Sequence, residues 1–311
     1  MVKKLSKLRF LIRNKTLLKT LVHSSKIKNI DCNTINGTNL RGKYHFNYKF
    51  DCTRPITFNE IICWLKFNYK NNLWKKCADK LGSKDFLLEN GFGKYVVKTY
   101  KIYHSSKDID LDELPNKFVL KTNHDSGTVF VCEKGKTNFN EVFSKLDESI
   151  KTKYSSRLGE WVYEDIVPLI FAEEFLETKN DIIDYKLFCF NGKFEWGYTV
   201  QNRQVDSRSS LFEKNFEFQN VDYIFLRPRK KDLPPKPDCY DEMINVAEEI
   251  SKILDFVRVD FYDTIHGPKI GELTFFSMAG FGRFTKKQYD FKFGKCFERT
   301  NLFRLINSKK G

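Results

Sequence analysis

At 311 residues, with 41% hydrophobic and 15% aromatic side chains, the chain can bury a sizeable core and is too apolar for a disordered polymer. Nine Lys or Arg and no acid lie in residues 1–30, so the formal charge of +14 falls to +5 for the rest, which argues against a dedicated nucleic-acid face. Eight cysteines without a C-x-x-C pair or a histidine at zinc spacing exclude the common zinc modules and indicate reduced thiols in a cytosolic protein.

In chain order, Leu5, Leu8, Ile12 and Leu18 with Lys and Arg between them read as a basic amphipathic helix able to rest on an anionic membrane surface. An ordinary surface helix or a frayed terminus is the plainer alternative. No apolar run approaches the roughly 18 residues of a membrane span, and no signal-peptide core follows the basic start. The expected place is the cytoplasm, at the inner membrane face if the tail binds there. Periodicity predicts helices over Asn59–Asn68 and Asn71–Leu88, with Trp64, Leu65, Trp74, Leu81 and Phe86 facing a core. A buried-type strand, Lys117–Thr122, leads through His124-Asp125-Ser126-Gly127 into a strand at Thr128–Glu133, and Asn138–Lys151 reads as a helix. A strand at Leu169–Leu176 precedes the pair Asp184–Phe190 and Lys193–Val200, joined at Asn191-Gly192, a strong two-residue hairpin signal. A basic, proline-rich connection at Arg227–Pro237 leads to a helix over Asp241–Leu254. Hairpins dominate the pairing, so the expected class is α+β with mostly antiparallel sheets and flanking helices.

The last predicted unit is a hairpin of Phe256–Asp263 and Pro268–Phe276 about His266-Gly267. A register symmetric about His266 opposes Asp260 to Glu272 and Arg258 to Thr274, while Val257, Val259, Phe261, Leu273 and Phe275 take the other face. Opposed like charges destabilise a sheet, so two carboxylates there make sense with a cation between them. Mg²⁺ suits such a pair, since one or two carboxylates commonly hold it with phosphate oxygens completing its shell. A solvated edge hairpin is the competing reading.

No Walker A loop or G-x-G-x-x-G is present. The Lys121 to Gly127 segment offers a substitute: a lysine leaving a buried strand, then small and polar residues whose N–H groups can face a triphosphate. It can equally be a simple turn. Lys186 lies in the apolar strand Tyr185-Lys186-Leu187-Phe188, which is costly unless the ammonium meets an anion or the strand is an edge open to solvent. Acids at Glu173, Glu174 and Glu177 follow an apolar strand, where they can accept hydrogen bonds from a base or ribose, or simply face water. The five histidines stand singly and suggest no nucleophilic triad.

Taken together, these pieces resemble the TupA-like branch of the ATP-grasp enzymes, associated with teichuronopeptide and capsular polysaccharide synthesis. The likeness runs from about Arg54 to the last hairpin. Its residues are Pro55-Ile-Thr-Phe-Asn-Glu60, Trp64-Leu65-Lys66, Ala78-Asp79-Lys80, Phe118-Val-Leu-Lys121 with Ser126-Gly127, Ala172-Glu-Glu-Phe-Leu176, Asp184-Tyr-Lys186 with Phe190-Asn-Gly192, Arg258-Val-Asp260 and Gly271-Glu-Leu-Thr274. The resemblance implies an ATP-grasp fold with ATP between two subdomains. Residues 1–48 would be a basic N-terminal segment and 49–307 the catalytic region, with a phosphate-loop subdomain at about 110–170 and a hinge and metal-binding subdomain at about 171–307. It implies that Lys121 and Lys186 bind the ATP phosphates under a closing Asp125, Ser126 and Gly127 loop. Glu173, Glu174 and the backbone of Leu176 would meet the adenine, and Asp184 the ribose. Asp260, Glu272 and Thr274 would hold Mg²⁺, Thr274 standing where many relatives have a metal-binding Asn, and Arg258 would face the transferring phosphoryl group or the acyl intermediate.

The implied reaction is ATP-dependent amide formation through an acyl phosphate. The implied partners are a uronic acid of a surface glycan or its sugar precursor, and an amino acid or small amino alcohol. Arg203, Arg208 and the Arg227–Lys236 stretch are candidates to meet an acidic glycan. Asp260→Asn or Glu272→Gln is expected to abolish turnover with the fold intact. Two alternatives remain at this point: a peptide-type ligase acting on small metabolites or protein tails, and a non-catalytic nucleotide- or polyanion-binding protein.

Overall fold

The computed structural model describes residues 30–46, 48–125, 127–152, 158–178, 182–201, 208–223 and 233–309. The basic tail with its expected helix, Ser126, Arg203, the side chain of Arg208 and residues 227–232 of the basic connection lie outside the described residues.

The chain forms an α+β structure around two antiparallel sheets. Helix α1 (Ile35–His45) places Gly42 against the ring of Phe50, in a small apolar cluster with Phe46, Cys63 and Phe281. Helix α2 (Phe58–Asn68) begins at a capping box in which Thr57 and Glu60 satisfy each other's backbone N–H groups. The single helix expected over Asn71–Leu88 is two, α3 (Asn72–Ala78) and α4 (Lys80–Glu89). Asp79 makes the break: its backbone is extended, and its carboxylate caps α4 at Leu81 N while accepting from the Asn123 side-chain amide.

The smaller sheet has the order β1-β4-β2-β3, from β1 (Thr99–Tyr103), β2 (Lys117–Thr122), β3 (Val129–Glu133) and β4 (Ile170–Glu174). One face packs on α5 (Phe139–Ile150) through Phe118, Leu120, Cys132 and Leu146. Strand β1 carries no strong sequence signal, because it exists through pairing with β4 some seventy residues away.

The larger sheet has the order β10-β9-β5-β6-β7-β8. Its strands are β5 (Asp184–Phe190), β6 (Lys193–Gln201), β7 (Arg208–Glu213), β8 (Glu217–Gln219), β9 (Phe256–Thr264) and β10 (Gly267–Thr274). Asn191 and Gly192 both have positive φ, as the tight β5–β6 turn requires. Helix α6 (Tyr240–Leu254) buries Met243, Ala247 and Ile250 in the main core with Val257, Val259 and Phe261. Phe188, Trp196 and Phe293 stack in series, with ring centroids 3.8 and 4.3 Å apart. Helices α7 (Gln288–Gly294) and α8 (Asn301–Ser308) close the chain. All eight cysteines are free thiols, six of them buried. Among the described residues, no helix is long and apolar enough to cross a membrane.

The terminal hairpin differs from the sequence expectation at its turn and matches it at the charged positions. From Gly267 opposite Thr264 to Ile270 opposite Phe261 the register is centred between Ile265 and His266, and Gly271 is then an extra residue in a β-bulge. Beyond the bulge Glu272 faces Asp260 and Thr274 faces Arg258.

Candidate functional site

Register in the larger sheet lines up side chains that are far apart in sequence. Lys186 on β5 pairs with Tyr198 on β6 and with Asp260 on β9, and Asp260 pairs with Glu272 on β10. These four form one row across four strands, with Phe188, Arg258 and Thr274 in the next. Strand β5 is interior and buried throughout, so Lys186 is no edge lysine. Its ammonium meets the Asp260 carboxylate and lies 3.9 Å from Asp184. Arg258 grips Asp260 in bidentate fashion, Nε to Oδ1 at 2.7 Å and Nη2 to Oδ2 at 2.8 Å. The same guanidinium donates to Thr274 Oγ1 at 2.9 Å, Ser277 Oγ at 3.2 Å and Tyr198 Oη at 3.4 Å.

Burial opposes the charge on Asp260, but Arg258 and Lys186 outweigh it and hold the carboxyl below its ordinary pKa. Burial pulls the Lys186 ammonium below its usual value, with Asp260 acting in the other direction. Glu272 is only partly buried, and its carboxylate makes no hydrogen bond or ion pair with another described residue. The hairpin therefore presents one committed acid, Asp260, beside one uncommitted acid, Glu272. An ionised carboxylate has about four lone-pair directions, so Asp260 keeps one on Oδ1 beyond its three donors. Two opposed carboxylates and a nearby hydroxyl make a hard oxygen set of the kind Mg²⁺ takes, so Asp260, Glu272 and Thr274 fit such an ion. Thr274 is meanwhile engaged as an acceptor for Arg258.

The smaller sheet supplies a second constellation. Glu173, Val119 and Val131 stand opposite one another on one face, with Phe171, Lys121 and Val129 in the adjacent row. Glu173 is buried and held by both Lys121 and Lys84, the latter at 2.8 Å; Lys84 also donates to Thr99 Oγ1 and Val97 O. Burial alone would raise the Glu173 pKa, and the two lysines bring it below the ordinary value. Val129 and Val131 are about half exposed on that face, leaving an apolar strip beside a lysine. Glu174 follows Glu173 and faces the opposite side of the sheet. Leu176 lies just past β4 and is partly buried.

Asp125 turns inward. Its carboxylate accepts hydrogen bonds from Thr122 Oγ1 at 2.6 Å, Ser149 Oγ at 2.7 Å and Thr128 Oγ1. It thereby fixes both ends of the loop. Gly127 has φ +112° with open space around it, so the backbone conformation, not crowding, calls for glycine.

Lys80 joins the two constellations, a role that its place in a sequence motif did not reveal. Its ammonium donates to the carbonyls of Thr122, at 3.1 Å, and Asp125. Burial lowers its pKa, with Glu272 and Asp125 opposing that and Lys121 adding to it. Lys80 is thus within electrostatic reach of the hairpin, the loop and the smaller sheet at once. The Asp79 cap that splits the helix was the available signal. Lys84 and Ser149 had none, since both meet the site only through tertiary packing.

The description "TupA-like ATPgrasp" matches residues 60–298, which spans all of these residues. No curated protein matches the chain. Among solved structures, D-alanine–D-alanine ligase from Bacillus anthracis complexed with ATP aligns at 15% identity and TM-score 0.38, covering 75% of this chain and 64% of that one. L-amino acid ligase from Bacillus licheniformis aligns at 12% and 0.39, covering 78% and 49%. The ATP-grasp ligase PsnB, complexed with minimal precursor, Mg and ADP, aligns at 10% and 0.41, covering 81% and 66%. The chain thus spans less than two thirds of each of these three proteins. The family match, over most of the sequence and both constellations, decides the assignment: this chain belongs to the TupA-like ATPgrasp family.

Proposed function

We propose that the protein is an ATP-dependent carboxylate–amine ligase. A substrate carboxylate oxygen attacks the γ-phosphorus of ATP, the bond to the β-bridging oxygen breaks, and ADP leaves an acyl phosphate. The amine then attacks the acyl carbon, inorganic phosphate departs, and the amide forms with loss of a proton. The observation that carries this reading is the row Tyr198, Lys186, Asp260 and Glu272 with Arg258 beside it. Such a row sets two buried cations, Lys186 and Arg258, beside two opposed carboxylates on a rigid sheet, an arrangement suited to a metal-bound triphosphate.

Catalysis would then rest on positioning and electrostatics, with no enzyme nucleophile. Lys121 and Lys80 would neutralise phosphate from the side of the smaller sheet, and the valine strip beside Lys121 would cover the base. Glu173 would keep Lys121 oriented. Lys186 and Arg258 would act from the larger sheet, where Asp260 holds both in place before substrate arrives. Asp184, at the start of β5 and 3.9 Å from Lys186, stands near enough to serve the ribose or the lysine. Glu272 and Asp260, with Thr274, would hold Mg²⁺, which supplies positive charge to the triphosphate.

We assign the carboxylate to a uronic acid of a capsular or other surface polysaccharide or its precursor, and the amine to an amino acid or amino alcohol. This is the role associated with the family. ATP as substrate places the reaction in the cytoplasm, and the basic N-terminal segment would bring it to the inner membrane face. The test is ADP release by the purified protein with Mg²⁺ and mixtures of uronic acids and amines, with product mass as readout. A product lighter by one water than its two components is expected. ADP release that needs no carboxylate, or none under any mixture, would overturn the assignment.

A further inference from the structure

The proposed reaction uses neither Lys66, which is buried, nor Glu160, which is partly so. Lys66 stands in the last turn of α2, and its ammonium donates to Leu158 O at 2.7 Å and to Ala279 O at 2.9 Å. It thereby joins two segments far apart in sequence. One of them carries Ser277, whose hydroxyl accepts from Arg258 at 3.2 Å. The other leads directly into Glu160. Beyond Glu160, Trp161 packs on Phe276, just past Thr274, with ring centroids 5.9 Å apart. Glu160 is therefore held from both sides against the chain that leaves β10.

The Glu160 carboxylate makes no hydrogen bond or ion pair with another described residue. Two charged groups face it, Lys66 from α2 and Glu272 from β10. The Lys66 ammonium is directed to carbonyls, and Glu272, the acid on the edge strand of the charged row, repels it. Burial raises the Glu160 pKa, Lys66 lowers it and Glu272 raises it further. A carboxyl shifted in this direction weakens the fold at neutral pH, so packing alone gives no reason for a glutamate here. Such a group is characteristic of a site kept for a ligand.

An ionised carboxylate only accepts hydrogen bonds, so its ligand must bring positive charge and donors. Amide formation supplies one, because an amine in neutral water arrives as an ammonium with three N–H groups. Lys80 reaches Glu272 from the loop after β2, where the phosphates would lie, whereas Glu160 reaches it from α2 and the chain after β10. The nucleophile would thus enter beside the metal-binding hairpin from another wall. We propose that the Glu160 carboxylate receives the ammonium group of the amine substrate and takes the proton it loses before attack. This rests on the ligase reading. The freed nitrogen lone pair forms the C–N bond, the acyl C–O bond breaks, and phosphate leaves with that bond's electrons and the second proton from nitrogen.

The experiment compares Glu160→Gln with the wild-type full chain at neutral pH, with saturating ATP and Mg²⁺ and with glucuronic and galacturonic acids as carboxylates. One arm supplies ethanolamine or alanine, both ammonium ions under these conditions. The other supplies hydroxylamine, which is largely uncharged and needs no partner for a positive charge. Glu160→Gln should lower kcat/KM for the ammonium nucleophiles about a hundredfold and keep hydroxamate formation within about twofold of wild type, with the KM for ATP and the Mg²⁺ dependence unchanged. The substitution keeps the side chain's size and breaks no hydrogen bond to a described residue, so the variant is expected to fold. Equal losses in both arms, no loss in either, a shifted Mg²⁺ requirement, or wild-type turnover confined to hydroxylamine would overturn the proposal while leaving the ligase reading in place. Wild-type protein that forms neither amide nor hydroxamate would bring down that reading and this inference with it.

Discussion

Glu272 and Asp260 face each other in the hairpin but are not equivalent as mutational probes. Asp260 is the anion hydrogen-bonded to two buried cations, so Asp260→Asn removes the negative charge both of them contact in a low-dielectric site. Stranding buried charge typically costs about 3–5 kcal/mol. The sequence suggested that this variant would lose turnover with its fold intact; the structure predicts a loss of stability as well, visible as a lower denaturant midpoint. Glu272→Gln changes an uncommitted carboxylate and should leave the unfolding free energy within about 0.5 kcal/mol of wild type while ADP release falls roughly a hundredfold. A Glu272→Gln protein with normal ADP release would remove Glu272 from the machinery. The pH response of Asp260 has a definite sign. Its folded pKa is depressed, so its stabilising contribution is present above the ordinary carboxylate value and is lost as pH falls below it.

Glu160 has the opposite sign. Burial pushes its carboxyl from 4.5 up to about 7, against the pull of Lys66 and with the push of Glu272. A folded pKa above the unfolded one means that its contribution is complete below about pH 4.5 and is lost as pH rises toward 7. Glu160→Gln should therefore match wild type near pH 4 and exceed it near pH 8, by at most about 3 kcal/mol. Urea titrations at the two pH values measure this, and an equal offset at both would refute the shift.

At the level of elements, legibility followed locality. Asn191-Gly192 announced the β5–β6 hairpin because the turn needs two positive φ values, and the Lys117–Thr122 strand was visible as a continuous apolar run. The opposition of Asp260 and Glu272 was also foreseen, although partly through compensation. The turn is centred half a residue earlier than the symmetric reading, and the bulge at Gly271 restores the expected pairing beyond it. Strand β1 and the break at Asp79 depend on distant partners, so local pattern did not expose them; β7 and β8 pair with their sequence neighbours but carry little apolar alternation of their own. Nor did it expose the segment after β10, where Met278, Ala279 and Gly280 have φ of 50°, 53° and 77° in succession.

That left-handed run aims Ser277 at Arg258 and packs Gly280 against α2. A Cβ on Gly280 would lie 2.6 Å from Cys63 Sγ and 3.1 Å from both Cys63 N and Asn59 O. Backbone atoms of a buried helix cannot yield cheaply. Gly280→Ala should cost about 2 kcal/mol or more, combining unfavourable φ with overpacking. It should also reduce ADP release, because Ser277 loses its position on Arg258. Thermal unfolding and turnover of the same preparation check both, and a variant as stable as wild type would mean that the segment relaxes without strain.

Across the whole molecule, the two constellations stand on separate sheets with separate cores, and chemistry that draws on both needs them coupled. Lys80 is the described residue placed to do this. It hydrogen-bonds the loop after β2, starts the helix capped by Asp79 and senses Glu272 on the hairpin. Replacing it with methionine keeps the stem and removes the charge. The carbonyls of Thr122 and Asp125 would lose their donor, while Asp125 would keep its three hydroxyl partners, so the loop should loosen without unfolding. Lys80→Met should then raise hydrogen exchange in peptides covering residues 122–128 and leave the hairpin at 256–274 protected as before. ADP release should fall about a hundredfold, since one preorganised charge contact is worth roughly 3 kcal/mol of barrier. Loss of turnover with unchanged exchange would make Lys80 a simple phosphate ligand, and loosening of both segments would make it part of the general core. Only loss of turnover with loosening confined to the loop fits a lysine that couples the two sheets.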